Sequence, residues 1–436
     1  MEIISGFTAA KARLARQVVL DFGKISPGSK ETFGREMSPE EVVAKILSDV
    51  KTRGDTAVID YTARFDRCRV SSMEVKAEQI KAAYNTIEPE LLEAFKMASR
   101  RIRKFHQEQK ELVWRGVEGK EWGQLVRPLD KVGLYAPGGT AALASTVLMI
   151  AIPPKVAGVK ELILATPPGP DGSVPPLMLA AADIAGVDRV FAMGGAQAIG
   201  AMAYGTQSVP KVDKICGPGN SFVVLAKKAV FGQVDIDALQ GPSEILVIAD
   251  ESAKAEYCAA DLLAQAEHGQ LSHAVLLTTS PCLAQEVRKE LDQQSLLLPR
   301  QQIASESLKN NGVIVILDSI EEAIELANLF APEHLELVVK NAETYLNRVQ
   351  NAGCVFLGEY STEPIGDYIA GPNHSLPTGG TARFSSPLNI LDFMKIIDVV
   401  KMDRDGVQKL GPAAMLIARA EGLEGHARAI EKRLKS

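Results

Sequence analysis

Apolar residues fall at helical spacing in the first third of the chain and in short continuous runs thereafter, and the change marks its main division. Ser38-Pro39-Glu40-Glu41 sets a capping serine, a first-turn proline and a glutamate reaching back ahead of Val42, Val43, Ile46, Leu47 and Val50 on one face. This predicts a helix from Pro39 that Gly54 closes. Residues 7 to 21 carry apolar and basic positions at the same spacing, an arm that must lie on something. Helices follow over 76–86 and 90–109, then a strand from Val126 to Tyr135 and a turn at Ala136-Pro137-Gly138-Gly139.

Beyond that turn, strands alternate with helices: strand 161–166, helix 176–185, strand 189–194 and a helix after Gly195. The rhythm returns with strand 244–249, a helix over about 253–268, strand 273–278, a helix from 282, strand 313–317 and a helix from 319. Such alternation predicts an α/β protein of two doubly wound, Rossmann-like units with mostly parallel sheets, plus a small N-terminal arm and a C-terminal tail. Gly217-Pro218-Gly219-Asn220 and Gly241-Pro242-Ser243 mark loops near strand ends, where open α/β sheets bind ligands. Tyr360 to Phe384 reads as a long loop, unusual unless it serves a site. After Pro387 come short helices and one strand, Lys395 to Val400, too few residues to bury a core alone. That tail is expected to pack on the body or on another subunit.

At 436 residues the chain exceeds one hydrophobic core, and 46% apolar with 23% charged residues is an ordinary folded composition. The net charge of −6 supplies no basic field for phosphate backbones, so no nucleic-acid partner is expected. Cys68, Cys216, Cys258, Cys282 and Cys354 are scattered without a Cys-x-x-Cys pair, which fits a reducing cytoplasm. The longest apolar run, Leu148-Met-Ile-Ala-Ile-Pro-Pro, is cut by prolines, and neither a signal peptide nor a membrane partner is expected.

Candidate metal and proton chemistry lies in four stretches, and two glycine-rich loops add candidate phosphate contacts. Gln265 and His268, three apart, share a helical face, with Gly269 placed to end the helix in the left-handed conformation. Glu333-His334 joins two proton carriers of different pKa, and it equally reads as an exposed pair at a loop edge. Asp367 reads as a site carboxylate or a turn residue, and His426 as a ligand or a surface histidine. Gly194-Gly195-Ala-Gln197 at a strand-to-helix junction offers backbone amides to a phosphate or simply a tight turn, while Gly217-Pro-Gly-Asn lacks a dinucleotide fingerprint's third glycine.

Read together, Tyr135-Ala-Pro-Gly-Gly-Thr, Gly217-Pro-Gly-Asn, Ala238-Leu-Gln-Gly-Pro-Ser-Glu, Asp261-Leu-Leu-Ala-Gln-Ala-Glu-His-Gly, Ala331-Pro-Glu-His-Leu-Glu and Gly371-Pro-Asn-His-Ser-Leu-Pro-Thr-Gly-Gly resemble the histidinol dehydrogenases in order and over nearly the whole chain. The resemblance implies oxidation of L-histidinol through L-histidinal to L-histidine with two NAD⁺ reduced, closing histidine biosynthesis. It implies one zinc per subunit on Gln265, His268, Asp367 and His426, His334 as general base and Glu333 activating water. Ser243, Gln265, His268, His334, Asp367, His374, Glu421 and His426 fall at its substrate positions, and Tyr135, Gln197 and Asn220 at its NAD positions. It further implies an intertwined homodimer with shared active sites, built from an arm (1–24), a first α/β domain (25–133 and 239–385) with most zinc and catalytic residues, a second on the NAD side (134–238), and a tail (386–436) reaching the partner. A sister NAD-dependent amino-alcohol or polyol dehydrogenase, a zinc hydrolase and a metal-free oligomeric α/β protein stay open as alternatives.

Overall fold

Two parallel sheets carry the fold. One runs Glu2–Ser5, Val313–Ile316, His273–Thr278, Glu244–Ala249, His334–Val338, Cys354–Leu357 across its width. The other runs Arg189–Ala192, Glu161–Thr166, Lys131–Tyr135, Lys214–Cys216, Asp235–Ile236. The computed structural model describes residues 1–15, 26, 28–70, 72–113, 117–119, 121–138 and 143–435. The part of the expected N-terminal arm that falls on 16–25 lies outside the described residues. Helices cover both faces of each sheet, so a central strand such as Glu244–Ala249 is buried throughout and reads as an unbroken apolar run. The predicted pair of mostly parallel α/β units is what forms.

Each helix buries the face its sequence marks as apolar. Ser38 Oγ accepts from Glu41 N (3.2 Å) while Glu41 Oε2 accepts from Ser38 N (2.8 Å), and the helix Pro39–Arg53 then buries Val42, Val43, Ile46, Leu47 and Val50. Those residues pack on the helices Gly195–Tyr204 and Ser221–Val230, against the five-stranded sheet. The helix Pro89–Val113 sends Ala98 and Ile102 into the core on that sheet's other face. Residues 39–113, which the sequence grouping places with 239–385, thus bury their apolar surface on the unit of residues 134–238. Strand Glu2–Ser5 instead extends the edge of the six-stranded sheet, and helix Phe7–Leu14 packs beside it.

The sequence reading and the structure part in four places. The expected strand Val126–Tyr135 is two: Trp122–Pro128 pairs antiparallel with Met394–Val400, and Lys131–Tyr135 enters the five-stranded sheet. Asp213 Oδ2 turns the chain between them by accepting from Asp130 N (3.2 Å) and Lys131 N (3.0 Å). The run at Leu148 is a helix, Ala144–Ala157, that continues through Pro153 and Pro154. It is buried almost all round, which erases the period that would announce it. Within the expected loop 360–384 sits a short helix, Glu363–Tyr368, preceded by Thr362 and with Pro364 in its first turn. Finally, the helix Ala255–Ala266 ends before His268, and Gly269 is not among the glycines of positive φ. A tight turn ends it instead, with His268 N donating to Gln265 O (3.3 Å).

The tail leaves the body along Met394–Val400 and ends in helices Arg404–Ala420 and Glu424–Leu434 that fold on each other. Gly411 keeps that pair close, since a Cβ there would sit 2.9 Å from Ile430 Cγ2. Replacing Ser38 by Ala is expected to lower unfolding free energy by about 1 kcal/mol, read as a lower denaturant midpoint at unchanged slope. An unchanged midpoint would mean that the buried face alone holds the helix.

Candidate active site

Neighbouring strands of the six-stranded sheet begin at Glu244, His334 and Cys354, so these residues stand side by side at its amino edge. The helix Ala255–Ala266 runs back over the sheet and delivers Gln265 and His268 to that edge. This cluster therefore stands at strand starts, whereas open α/β sheets commonly bind ligands beyond the carboxyl ends of their strands. Between Ile236, at the carboxyl edge of that sheet, and Glu244 lie seven residues, 237–243, so the two edges adjoin.

His334 is almost fully buried, and its Nδ1 donates to Glu244 O at 3.0 Å. That bond directs Nε2 toward Asp367 Oδ1, 3.6 Å away, and Glu363 Oε1, 3.8 Å away. Glu333 turns beside it, with Oε2 accepting from Glu244 N at 2.8 Å and lying 3.7 Å from His334 Nδ1. Burial pushes the Glu333 carboxyl up to about 8. Burial would lower the His334 imidazolium, yet the Glu333, Asp367 and Glu363 carboxylates outweigh it and raise it to about 10. Burial, with Asp367 adjoining, pushes Glu363 up to about 9. Burial acts the same way on Asp367, but the neighbouring His334 and His374 hold it well below the usual carboxylate range. The pair therefore divides its titration, with Asp367 ionised and Glu363 keeping the proton.

One nitrogen of His268 and one oxygen each of Glu363 and Asp367 lie within 4.8 Å of one another. Burial lowers the His268 imidazolium and leaves a neutral ring, the form that binds metal. Gln265, one turn earlier, is fully buried with neither its oxygen nor its nitrogen hydrogen-bonded. An orphaned buried amide is costly unless a ligand completes it. This nitrogen and oxygen donor set fits a zinc-like cation. Beside it opens a cavity of about 370 Å³ lined by Phe356, Ile365 and Leu376 on apolar sides and by His334, Asp367 and His374 on polar ones. His374 Nδ1 donates to Asp367 O at 2.9 Å, and Ser243 stands one residue before Glu244.

Across the gap, Tyr135 ends its strand and its hydroxyl accepts from Gly195 N at 3.1 Å. Gln197 is buried in the helix that follows, and Asn220 Oδ1 caps the next by accepting from Phe222 N and Val223 N. Gly217 has φ +121°, and a Cβ there would lie 2.0 Å from Tyr135 O, so only glycine fits this turn. Fully buried Lys227 donates to Gly217 O (3.0 Å) and Gln240 Oε1 (2.9 Å) and pairs with Asp237. Asp237 Oδ2 in turn accepts from Gly217 N (2.7 Å) and Gln240 Nε2 (3.0 Å). Gly241 N donates to Thr378 Oγ1 (2.6 Å) and Gly379 N to Glu244 Oε1 (3.1 Å), which carries the network to the other edge.

A family model described as histidinol dehydrogenase matches residues 31–434. The chain belongs to the histidinol dehydrogenase family. Histidinol dehydrogenase of Dehalococcoides mccartyi (strain CBDB1) is 54% identical over 436 residues, all of both chains. That of Lactiplantibacillus plantarum is 50% identical over 400 residues, 91% of this chain and 93% of its own. The crystal structure of histidinol dehydrogenase from Elizabethkingia anophelis superposes with a TM-score of 0.91 at 39% identity, covering 100% of this chain and 98% of that one.

Of the residues that the resemblance to this family marks, the single chain gathers Glu333, His334, Gln265, His268, Asp367 and His374 at one edge, with Ser243 adjoining. Tyr135, Gln197 and Asn220 stand at the other. Glu421 and His426 join neither; both are exposed, Glu421 in the turn between the tail helices and His426 on the second of them. The sequence reading misses Glu363, though Glu363 and Asp367 are four apart behind Thr362 and Pro364, the spacing of one helical face. It also misses what steadies that helix: Glu336 Oε1 accepts from Glu363 N (2.9 Å) and Thr362 Oγ1 donates to Asp261 Oδ1 (2.6 Å).

Near Tyr135, the Asp66 carboxyl has a buried oxygen without a hydrogen-bond partner, and burial raises it to about 6. A raised carboxyl favours folding below its unfolded pKa of 3.8 and loses that contribution as pH climbs through 6. Asp66→Asn should therefore match the wild type in stability near pH 3.5 and exceed it above about pH 6. Denaturant melts across that range check it, and a pH-independent difference would contradict it.

Proposed function

We propose that the chain oxidises L-histidinol to L-histidine through L-histidinal, the closing reaction of histidine biosynthesis, with two NAD⁺ as hydride acceptors and one zinc per subunit. The observation that carries this reading is the meeting of His334 Nε2 with the Glu363 and Asp367 carboxylates that cluster with His268, together with the orphaned amide of Gln265 one helical turn before His268. Gln265, His268 and Asp367 would hold the zinc, with His426 supplied by the partner subunit. Zinc so held supplies an anchor for the amine and imidazole nitrogens of substrate and positive charge that offsets the carboxylates around His334.

His334 takes the hydroxyl proton as the first hydride leaves carbon for NAD⁺, and its Nδ1 bond to Glu244 O keeps Nε2 pointed at substrate. The aldehyde then gains water, which supplies the second oxygen. Glu333 accepts the proton of that water, a role its raised carboxyl pKa suits near neutrality. A second hydride leaves for a second NAD⁺, the remaining hydroxyl proton passes to His334, which has by then released its first, and the carboxylate forms. Apolar Phe356, Ile365 and Leu376 flank the imidazole, while Ser243, His374 and the partner subunit's Glu421 take its polar ends. Tyr135, Gln197 and Asn220 line the approach of NAD, and we assign residues 134–238 to the NAD side and 239–385 to the zinc side.

A homodimer with shared sites is supported by the apolar surface on the tail and the strand pair beside it. Trp122, Ile396, Val400, Leu416 and Ile417 are all at least 58% exposed. A patch of that kind marks an interface, and a second copy that takes up the tail brings His426 and Glu421 to the zinc. No described helix is long and apolar enough to cross a membrane, and a cytoplasmic location suits the five free cysteines. Family membership sets aside the hydrolase and polyol alternatives.

Purified protein with zinc is expected to yield two NADH per histidinol consumed, to lose activity to a chelator and to regain it with zinc. A yield of one, or turnover indifferent to zinc, would overturn the reading. His334→Gln should lower kcat by about 100- to 10,000-fold with KM nearly unchanged. A mixed dimer of His426→Ala and Glu333→Gln subunits should keep one working site of two, because the intact tail of one meets the intact body of the other. Complete loss would place each tail on its own subunit.

A further inference from the structure

Proline inside a helix leaves a carbonyl without its donor. Here Pro153 lacks the N–H that would serve Met149 O, four residues back and fully buried. The vacancy is filled from far away in sequence: Asn373 Nδ2 donates to Met149 O at 2.7 Å. Asn373 is itself buried, and its Oδ1 accepts from Ser375 N at 2.8 Å, so the amide is used at both ends. The helix belongs to the five-stranded unit, whereas Asn373 lies in the segment after the last strand of the six-stranded sheet. Asn373 is adjacent to His374, whose Nδ1 holds Asp367 O. Arg101 adds an outer tie, donating to Ile369 O (2.7 Å) and Ala370 O (3.0 Å).

We infer that Asn373 is a positioning residue, and that Pro153 exists to vacate the carbonyl that anchors it. The bond fixes the segment bearing Asp367 and His374 to the cofactor-side unit, and so sets where the zinc and substrate groups stand relative to the incoming NAD. A helix with any other residue at 153 would satisfy Met149 O internally and leave Asn373 to compete for it. The inference rests on the zinc-site reading above.

Four full-length chains separate positioning from plain carbonyl satisfaction: wild type, Asn373→Ala, Pro153→Ala and the double variant. Asn373→Ala leaves a buried carbonyl unserved, so its Tm falls; zinc affinity, measured by competition with a chelator, weakens by about 10- to 100-fold; and KM for histidinol rises by about tenfold. In the double variant the Pro153→Ala change restores an N–H to Met149 O. Its Tm should return to that of Pro153→Ala while zinc affinity and KM stay at the Asn373→Ala values. Hydrogen exchange over residues 367–375 should be fast in both chains lacking Asn373. Recovery of zinc affinity, KM and slow exchange in the double variant would overturn the inference, as would wild-type values of all three in Asn373→Ala. If Asn373→Ala does not fold, the double variant against Pro153→Ala decides. A wild-type chain that holds no zinc sinks the functional reading instead, and exchange alone then decides the role of Asn373.

Discussion

A carboxyl group shut away from water must find a cation or keep a proton, and around His334 this chain gathers more acids than its own bases can answer. Glu333, Glu363 and Asp367 all face one imidazole, and only Asp367 stays ionised in the usual sense. Behind them burial raises Asp261 and Glu336 as well. The arrangement is unstable as plain packing. The cation proposed above would offset it and turn a folding liability into affinity.

Sheet topology sets that cluster against the carboxyl edge of the second sheet. A parallel strand ends where its helix begins, so each sheet has an edge of strand starts and an edge of strand ends. The crossing from Ile236 to Glu244 brings the carboxyl edge of one sheet against the amino edge of the other. Tyr135 and Gly217 belong to the first, His334 and Glu333 to the second. Hydride transfer needs two reactants face to face, and on the proposed reaction the layout would provide a platform for each.

Legibility followed physical range. The helix from Pro39 was readable because its cap and its stripe are local. The alternation of runs such as Glu244–Ala249 and His273–Thr278 gave the parallel sheets for the same reason. Glu333, His334, Gln265, His268 and Asp367 were marked by their motifs, but their convergence depends on sheet register that no local pattern encodes. The helix across Pro153 was opaque because burial on all sides removes periodicity and its repair comes from Asn373, more than two hundred residues away. The packing of 39–113 on the five-stranded unit was opaque too, since an apolar stripe does not name its partner. Gly269 looked like a helix stop by residue type alone, and a tighter turn just before it did the work.

Lys227 and its ties bear on how freely the two sheets can move against each other. Asp237 is held by Lys227, Gly241 by Thr378, and Glu244 contacts Gly379 and Glu333, so the stretch linking the sheets is tethered near its start, middle and end. Such a link is a poor hinge. On the reaction proposed above, spent and fresh nicotinamide would trade places without the two halves swinging apart, by motion at the rim of the cleft. A half-oxidised aldehyde seated on the opposite wall would then keep its place while the exchange proceeds.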